Sequence, residues 1–304
     1  MNEIERIIKK GVISEEFLKE EIRNDFLITT ERKKVWAVVL DLIVEFDKVC
    51  KQHNIKYYLD GGSLLGAIRH NGFIPWDDDI DVAMPRDDFE RFVKLEREFS
   101  YPYFLQTPYT DPDYFYSFAK VRNSNTTALN QMFKYQGFNH GIWISIFPLD
   151  KFSLTKECED AYFKIAELTY ENSTFMRMKN PYLDEKNKIR VDNYSGRNPL
   201  KTYEEIQYLA SQFRNIETEY WGTLIITIRD FKRKALFMKS YEKEYLHKFE
   251  NIKLPIPYEY DSILINEYGN YMELPSIQER DGHGTTIFDA ERSYKYYLDT
   301  VYTS

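Results

Sequence analysis

The chain has 304 residues and a net charge of −8, with 43% apolar and 30% charged side chains. These values describe a folded, soluble protein and argue against disorder. A negatively charged chain is poorly suited to the phosphate backbone, so we expect no nucleic-acid partner. The two cysteines, Cys50 and Cys158, match neither a metal-binding spacing nor a secreted disulfide framework, which favours a reducing cytoplasm.

Neither the N-terminal stretch nor the longest apolar run indicates a membrane protein. The N-terminal stretch MNEIERIIKKGVISEEFLKEE mixes both charge signs and lacks the apolar core of a signal peptide. The apolar run in YWGTLIITIRDF (220–231) is far shorter than the ~20 residues of a spanning helix. We therefore expect any membrane contact to be peripheral, at the inner face.

The first regular elements follow the apolar spacing. Apolar residues at intervals of three and four predict a helix over residues 31–53, with Thr30 as its N-cap. IKYYL (55–59) predicts a strand. A Gly-Gly-Ser turn and one or two helical turns follow it.

Further along the chain, strands alternate with a second helix. DIDVAM (79–84) has the alternation of a strand, and Asp87 with Glu90 resembles a capping box at the start of a helix. More strands are predicted at 103–106, 114–121 and 141–147. Beyond Asp150 the pattern changes to long, mostly helical segments.

An acidic stretch interrupts this regular pattern. Four aspartates fall within five positions, beside Trp76, and they are Asp77, Asp78, Asp79 and Asp81. Because alternate side chains of a strand share a face, Asp79 and Asp81 should point to the same side, and Asp77 has the same parity. Carboxylates held side by side need either a raised pKa or a bound cation. Hard oxygen ligands select Mg²⁺, Mn²⁺ or Ca²⁺.

Three interpretations of the aspartates compete. The first is a solvated acidic turn. The second is an EF-hand loop beginning at Asp77, which Val82 excludes because it occupies the position that requires glycine. The third is a metal-dependent phosphoryl-transfer site, in which backbone N–H groups around Gly62 and Ser63 receive a phosphate that faces the aspartates.

A family resemblance favours the third interpretation. The stretch YYLDGGSLLGAIRHNGFIPWDDDIDVAMPRDDFERF resembles the signature of the LicD family, bacterial enzymes of cell-surface phosphocholine decoration. FAKVRNSNT (118–126), GIWISIFPLD (141–150) and YEYDSILINEYGNYMELP (258–275) also agree with that family. The similarity extends over residues 35–283.

The resemblance implies a fold and a reaction. The fold is α+β, with a nucleotidyltransferase-like mixed sheet flanked by helices and a helical C-terminal half. We expect an N-terminal helical extension (1–30), a catalytic core (31–152) and a mostly helical region packed on it (153–304). The reaction is transfer of phosphocholine from CDP-choline to a sugar hydroxyl of teichoic acid, capsule or lipopolysaccharide, with release of CMP. Relatives of the fukutin type use CDP-ribitol, so the transferred group stays open, and the glycan acceptor can be lipid-linked.

The family's site residues map onto this chain. Its metal-binding carboxylates match Asp79 and Asp81, with Asp77 close by, and these would hold Mg²⁺ or Mn²⁺. Gly62 and Ser63 fall on its phosphate-facing turn.

Further candidates for substrate binding lie in the matched motifs. Arg69, Lys120 and Arg122 suit phosphate oxygens, although each could instead pair structurally with the aspartates. Trp76 and Trp143 could form a box for the choline cation, or could pack in the core.

One position departs from the family pattern. Many members have Asp where this chain has Ser145, which strand parity places on the same face as Trp143. The interpretations are weaker metal binding, a substitute carboxylate such as Asp150 or Asp77, or nucleotide binding without turnover.

Two other functions therefore stay open. One is a nucleotidyltransferase acting on a sugar phosphate or small molecule, which would release pyrophosphate. The other is a non-catalytic nucleotide-binding subunit of a glycan assembly complex.

Overall fold

The computed structural model describes residues 1–177, 198–225, 235–282, 284 and 286–303. Its α-helices are α1 (Glu3–Lys9), α2 (Thr30–Gln52), α3 (Gly61–His70), α4 (Arg86–Phe92), α5 (Lys156–Arg177), α6 (Pro199–Ser211), α7 (Tyr260–Tyr268) and α8 (Tyr294–Thr303). Its strands are β1 (Glu21–Arg23), β2 (Phe26–Ile28), β3 (Tyr58–Leu59), β4 (Asp81–Pro85), β5 (Tyr103–Gln106), β6 (Ala119–Asn123), β7 (Thr127–Asn130), β8 (Ile142–Phe152), β9 (Tyr220–Gly222), β10 (Leu236–Phe237), β11 (Glu244–Phe249), β12 (Ile252–Pro257) and β13 (Thr286–Asp289).

A mixed, seven-stranded sheet is built around β8. This strand pairs in parallel with β4 and antiparallel with β6, and its last residues pair antiparallel with β9. The strand β3 lies beyond β4, β5 beyond β6, and β10 beyond β9. The α+β class predicted from the sequence is confirmed.

Helix α2 packs against β6 and β8 and forms the middle of the core. It begins one residue earlier than predicted, because the Thr29 side chain accepts a hydrogen bond from Arg32 N and caps the helix. Its apolar stripe is completely buried and includes Val38, Val39, Leu42, Ile43 and Phe46. Each such side chain contributes about 1.5–3 kcal/mol when it leaves water.

Helix α3 carries the Gly-Gly-Ser turn at its first residues. It begins at Gly61, whose φ of +49° is a conformation that favours glycine. It ends at Asn71 in the left-handed region, as the predicted turn there requires. The amide groups around Gly62 and Ser63 therefore lie at the N-terminal end of a helix.

Two helices of the second half cover the other side of β8. The helices α5 and α6 contact each other and bury Tyr162, Ile165 and Ile206 against Phe147 and Phe152. Strands also occur beyond residue 152, so the prediction of a helical second half is only partly right.

The strands missed in the second half have physical explanations. In β12, Pro255 and Pro257 argue against a strand, yet the strand pairs along one side with β11. Strand β13 exists because it pairs with β7, more than 150 residues earlier in the chain. Pairing at such a distance leaves no local signal.

The N-terminal residues contain a hairpin (β1 and β2) as well as α1. Helix α1 is attached through Arg6 and Lys10, which both bind the fully buried carboxylate of Asp41. The Lys10 Nζ–Asp41 Oδ1 distance is 2.9 Å. Among the helices that the structure describes, none combines the length and apolar character needed to cross a bilayer.

Candidate active site

Three neighbouring strands bring an acid, a hydroxyl and an amine into one row. Asp81 on β4 lies opposite Ser145 on β8, and Ser145 lies opposite Lys120 on β6. Ile80, directly before β4, and Val82, on the other face of β4, are completely buried. The aspartates therefore face away from the core, as strand parity predicts.

The residues before β4 form an acidic cluster (Asp77, Asp78 and Asp79). Each carboxylate has an oxygen within 4.8 Å of the others. Helix α2 fixes the backbone there, because Arg32 and Trp36 both donate hydrogen bonds to the carbonyl of Asp77, at 3.0 and 2.8 Å. The sequence analysis did not select Asp78 as a metal ligand, and only its place in a run of three aspartates could have indicated it.

Burial and like charge act together on these carboxyls. Burial raises the pKa of Asp79 well above its usual range, and the charges of Asp77 and Asp78 raise it further. Burial, followed by the charges of Asp79, Asp77 and Asp60, raises the pKa of Asp81 in the same direction. A divalent cation is the ligand that would offset so much negative charge at one place.

The Gly-Ser turn of α3 contacts the acidic cluster directly. A Cβ atom at Gly62 would lie 3.1 Å from Asp77 Oδ2, so the backbone approaches the carboxylate closely. The Ser63 hydroxyl accepts a hydrogen bond of 2.9 Å from the backbone N of Asp81. The turn and the aspartates are thus fixed relative to each other.

Two buried cations lie across the site from the aspartates. Lys120 Nζ lies 3.9 Å from the centroid of the Trp143 ring. Burial and the neighbouring Arg122 lower the pKa of Lys120, while Asp79 and Asp81 oppose that change. Arg122 donates to the carbonyl of Gly141 at 2.6 Å and to the side chain of Gln106, and burial lowers its pKa to about 10.

A cavity of about 260 Å³ opens between the acids and the cations. Its lining includes Asp79, Asp81, Lys120 and Ser145. Aromatic rings complete its walls, contributed by Tyr116, Phe118, Phe133, Phe138, Trp143 and Phe147. The sequence analysis did not select these rings apart from Trp143, although the aromatic-rich stretch YFYSF before Lys120 carries two of them.

The two tryptophans are both covered by cations of the chain itself. Trp143 donates its indole N–H to Asp79, and Lys120 lies over its ring. Trp76 is buried between Phe26, at 5.9 Å, and the Arg280 guanidinium, at 5.0 Å from its ring centroid. These contacts position both side chains, and their role in binding the choline cation stays a prediction.

Arg69 lies outside the lining of this cavity. Its Nη1 atom donates to the carbonyls of Tyr271 and Glu273, at 2.8 and 3.2 Å. These hydrogen bonds stabilise the segment that follows α7.

The structure distinguishes between Asp150 and Asp77, the two carboxylates that could substitute for an Asp at position 145. Asp150 cannot, because Arg86 binds both of its oxygens, at 2.6 and 2.8 Å, at the opposite end of β8. Asp77 lies in the acidic cluster and remains a candidate. Ser145 itself donates a hydrogen bond to the Asp81 carboxyl.

Comparison with known proteins places these residues in a family domain. The model of the LicD/FKTN/FKRP nucleotidyltransferase domain matches residues 54–149, which contain the acidic cluster, the Gly-Ser turn and Lys120. The lipopolysaccharide cholinephosphotransferase LicD of Haemophilus influenzae is 27% identical over 267 residues, covering 81% of this chain and 93% of that protein. The ribitol 5-phosphate transferase FKRP of Homo sapiens and Mus musculus is 48% identical over 40 residues, 13% of this chain and 8% of those proteins.

Proposed function

The chain belongs to the LicD family, and we propose that it transfers a phospho-alcohol group from a CDP-linked donor to a hydroxyl of a cell-surface glycan. Phosphocholine is the first candidate for that group, and CMP is the leaving product. The observation that carries the proposal is the arrangement of the aspartates: Asp77 lies against the Gly-Ser turn, and Asp79 and Asp81 line a cavity together with Lys120. The names of two relatives, a cholinephosphotransferase and a ribitol 5-phosphate transferase, support it.

The acidic cluster fits a divalent metal ion. Its donors are carboxylate oxygens within 4.8 Å of one another, and Asp81 adds a further carboxyl beside Asp79. Such hard ligands suit Mg²⁺ or Mn²⁺. When bound, the ion would neutralise charge on the donor's phosphates.

The chain's own residues would position the donor. Lys120 presents an ammonium group to the cavity, where it can bind a phosphate oxygen. The N-terminal end of α3, where Gly62 lies beside Asp77, favours negative charge. Because Lys120 lies over both Trp143 and Tyr116, and Arg280 covers Trp76, a choline head group would rest on other rings of the cavity, such as Phe138.

Product analysis tests the proposal. The protein is incubated with CDP-choline, CDP-ribitol or CTP, in the presence of Mg²⁺ and a lipopolysaccharide or teichoic-acid extract. Release of CMP with labelling of the glycan supports the proposal, whereas release of pyrophosphate from CTP would indicate a nucleotidyltransferase. Asp79→Asn and Asp81→Asn should each abolish transfer without unfolding the protein, and the exposed Asp160→Asn serves as control. Full activity in both site variants would remove the metal assignment.

Ser145 motivates a second candidate, a non-catalytic nucleotide-binding subunit. The residue offers a hydroxyl, already bonded to Asp81, where many family members have a carboxylate. Metal-dependent binding of CDP-choline with no turnover on any extract would favour this candidate. In that case Ser145→Asp should create activity if the missing carboxylate is what limits the site.

A further inference from the structure

A second groove lies between α4, α6 and the loop that follows β5. Its volume is about 560 Å³, larger than that of the cavity beside the aspartates. Its lining contains three aromatic side chains, which are Phe89, Tyr109 and Tyr203, and six polar or charged ones, among them Glu90, Thr110 and Gln207. Helix α6 lies outside residues 54–149, which the family domain matches.

The groove exposes one aromatic ring to solvent, that of Tyr109, which packs on the buried Tyr203. Tyr109 is 57% exposed, and its ring meets Tyr203 edge to face, with centroids 5.7 Å apart and planes at 89°. Its hydroxyl lies 3.3 Å from Glu204 Oε1, which orients the ring. An exposed aromatic ring beside carboxylate, hydroxyl and amide groups suits a sugar, which has an apolar ring face and hydroxyls at its edge.

The groove and the catalytic cavity share a wall. Gln207, which lines the groove, donates a hydrogen bond of 2.7 Å to the carbonyl of Ser117. The neighbours of Ser117 in the chain, Tyr116 and Phe118, line the cavity. One peptide segment therefore separates the two spaces.

A hydrogen-bond network fixes that wall in place. Arg86 donates to Gln207 Oε1 at 2.5 Å and binds both oxygens of Asp150, near the end of β8. Since β8 also carries Ser145, which lies opposite Asp81 in the cavity, the network fixes the position of the groove relative to these two residues.

We propose that this α4–α6 groove binds a saccharide unit of the acceptor glycan, beyond the unit whose hydroxyl receives the phosphate. The identification of that saccharide as the acceptor rests on the proposed function. The saccharide assignment itself rests on the exposed ring of Tyr109 and the polar groups around it.

Binding of sugars alone tests the proposal. The probe is a pool of lipid-free oligosaccharides of defined length, released from bacterial lipopolysaccharide, and its binding is followed by saturation-transfer NMR and calorimetry without donor. Tyr109→Ala should weaken binding at least tenfold, and Tyr109→Phe should retain it within about threefold because the ring remains. Tyr208→Ala is the matched control, because Tyr208 lies on α6, is 63% exposed and does not line the groove.

The outcomes separate this inference from the proposed function. Equal affinity of Tyr109→Ala and the wild type for the oligosaccharides, or no binding by any of these proteins, would refute the saccharide assignment. Hydrolysis of CDP-linked donors without glycan, in which water accepts the phospho-alcohol group and CMP is released, should be equally fast in Tyr109→Ala and the wild type. If the wild type bound oligosaccharides but never released CMP, the groove assignment would stand and the proposed function would fail.

Discussion

Replacing Arg86 by methionine should lower the free energy of unfolding by about 3–5 kcal/mol. Arg86 is 6% exposed and Asp150 only 1%, and two hydrogen bonds of 2.6 and 2.8 Å join them. The substitution leaves the Asp150 carboxylate buried with its cationic partner gone. Since a domain is stabilised by only about 5–15 kcal/mol, a loss of this size should be evident.

The double variant Arg86→Met/Asp150→Leu separates the ion pair from simple packing. Removing both charges leaves no buried ion, so most of the lost stability should return. The measurement is urea unfolding followed by circular dichroism for the wild type, both single variants and the double variant. Lys156→Met is the control, because its ion pairs are exposed and its removal should leave the transition unchanged.

The loss should also depend on pH. Burial raises the pKa of Asp150 in the folded protein, in spite of Arg86. A carboxyl with a raised pKa in the folded state binds protons more readily there than in the unfolded chain, so stability falls as pH rises above the unfolded pKa, about 4. The defect of Arg86→Met should therefore shrink on acidification. A loss below about 1 kcal/mol at neutral pH, or a double variant no more stable than Arg86→Met, would refute this reasoning.

Three further variants test other parts of the structure. Gly141→Ala should lower the free energy of unfolding in urea by about 1–3 kcal/mol, because a Cβ there would lie 2.0 Å from the backbone O of Asn123. Gly137→Ala is the control and should lower it less, because its Cβ would meet only a flexible side chain. Lys120→Met should weaken calorimetric binding of CDP-linked donors at least tenfold without lowering the unfolding midpoint, since it removes a buried charge; unchanged donor affinity would exclude phosphate contact. Ser145→Asp should tighten Mn²⁺ binding by about tenfold, measured by titration, because a further carboxylate would lie opposite Asp81; weaker binding would contradict that geometry.

Periodicity predicted the elements that position the site. The apolar stripe of α2, the alternation of β4 and the parity of Ser145 with Trp143 all depend on local geometry, which a single sequence displays. The metal role of Asp79 and Asp81 stays a prediction, because the structure shows only where the carboxyls lie.

Two predictions of secondary structure, at Asp87 and over residues 114–121, are incorrect, and neighbouring residues explain both. The expected capping box at Asp87 is absent, because α4 already begins at Arg86, directly after Pro85, and Asp87 lies within its first turn. The strand expected over residues 114–121 begins only at Ala119, because Tyr114 and Phe115 pack into an aromatic cluster with Phe133. Aromatic residues favour strands and clusters alike, so the pattern could not distinguish them.

Other features depend on contacts between distant segments. The wall between cavity and groove joins Gln207 to Ser117, and the covering of Trp76 brings in Arg280. His283, three residues after Arg280, lies outside the residues that the structure describes. Contacts across such distances leave no trace in local periodicity.

Calorimetric titration of CDP-choline and CDP-ribitol, with Mg²⁺ and then with EDTA, tests the central claim most directly. The wild type should bind one of these donors in Mg²⁺ and lose it in EDTA, and Asp79→Asn should fail to bind in either buffer while its circular dichroism stays unchanged. Donor binding that is equally tight in EDTA, or undiminished in Asp79→Asn, would contradict a metal-dependent donor site at the acidic cluster.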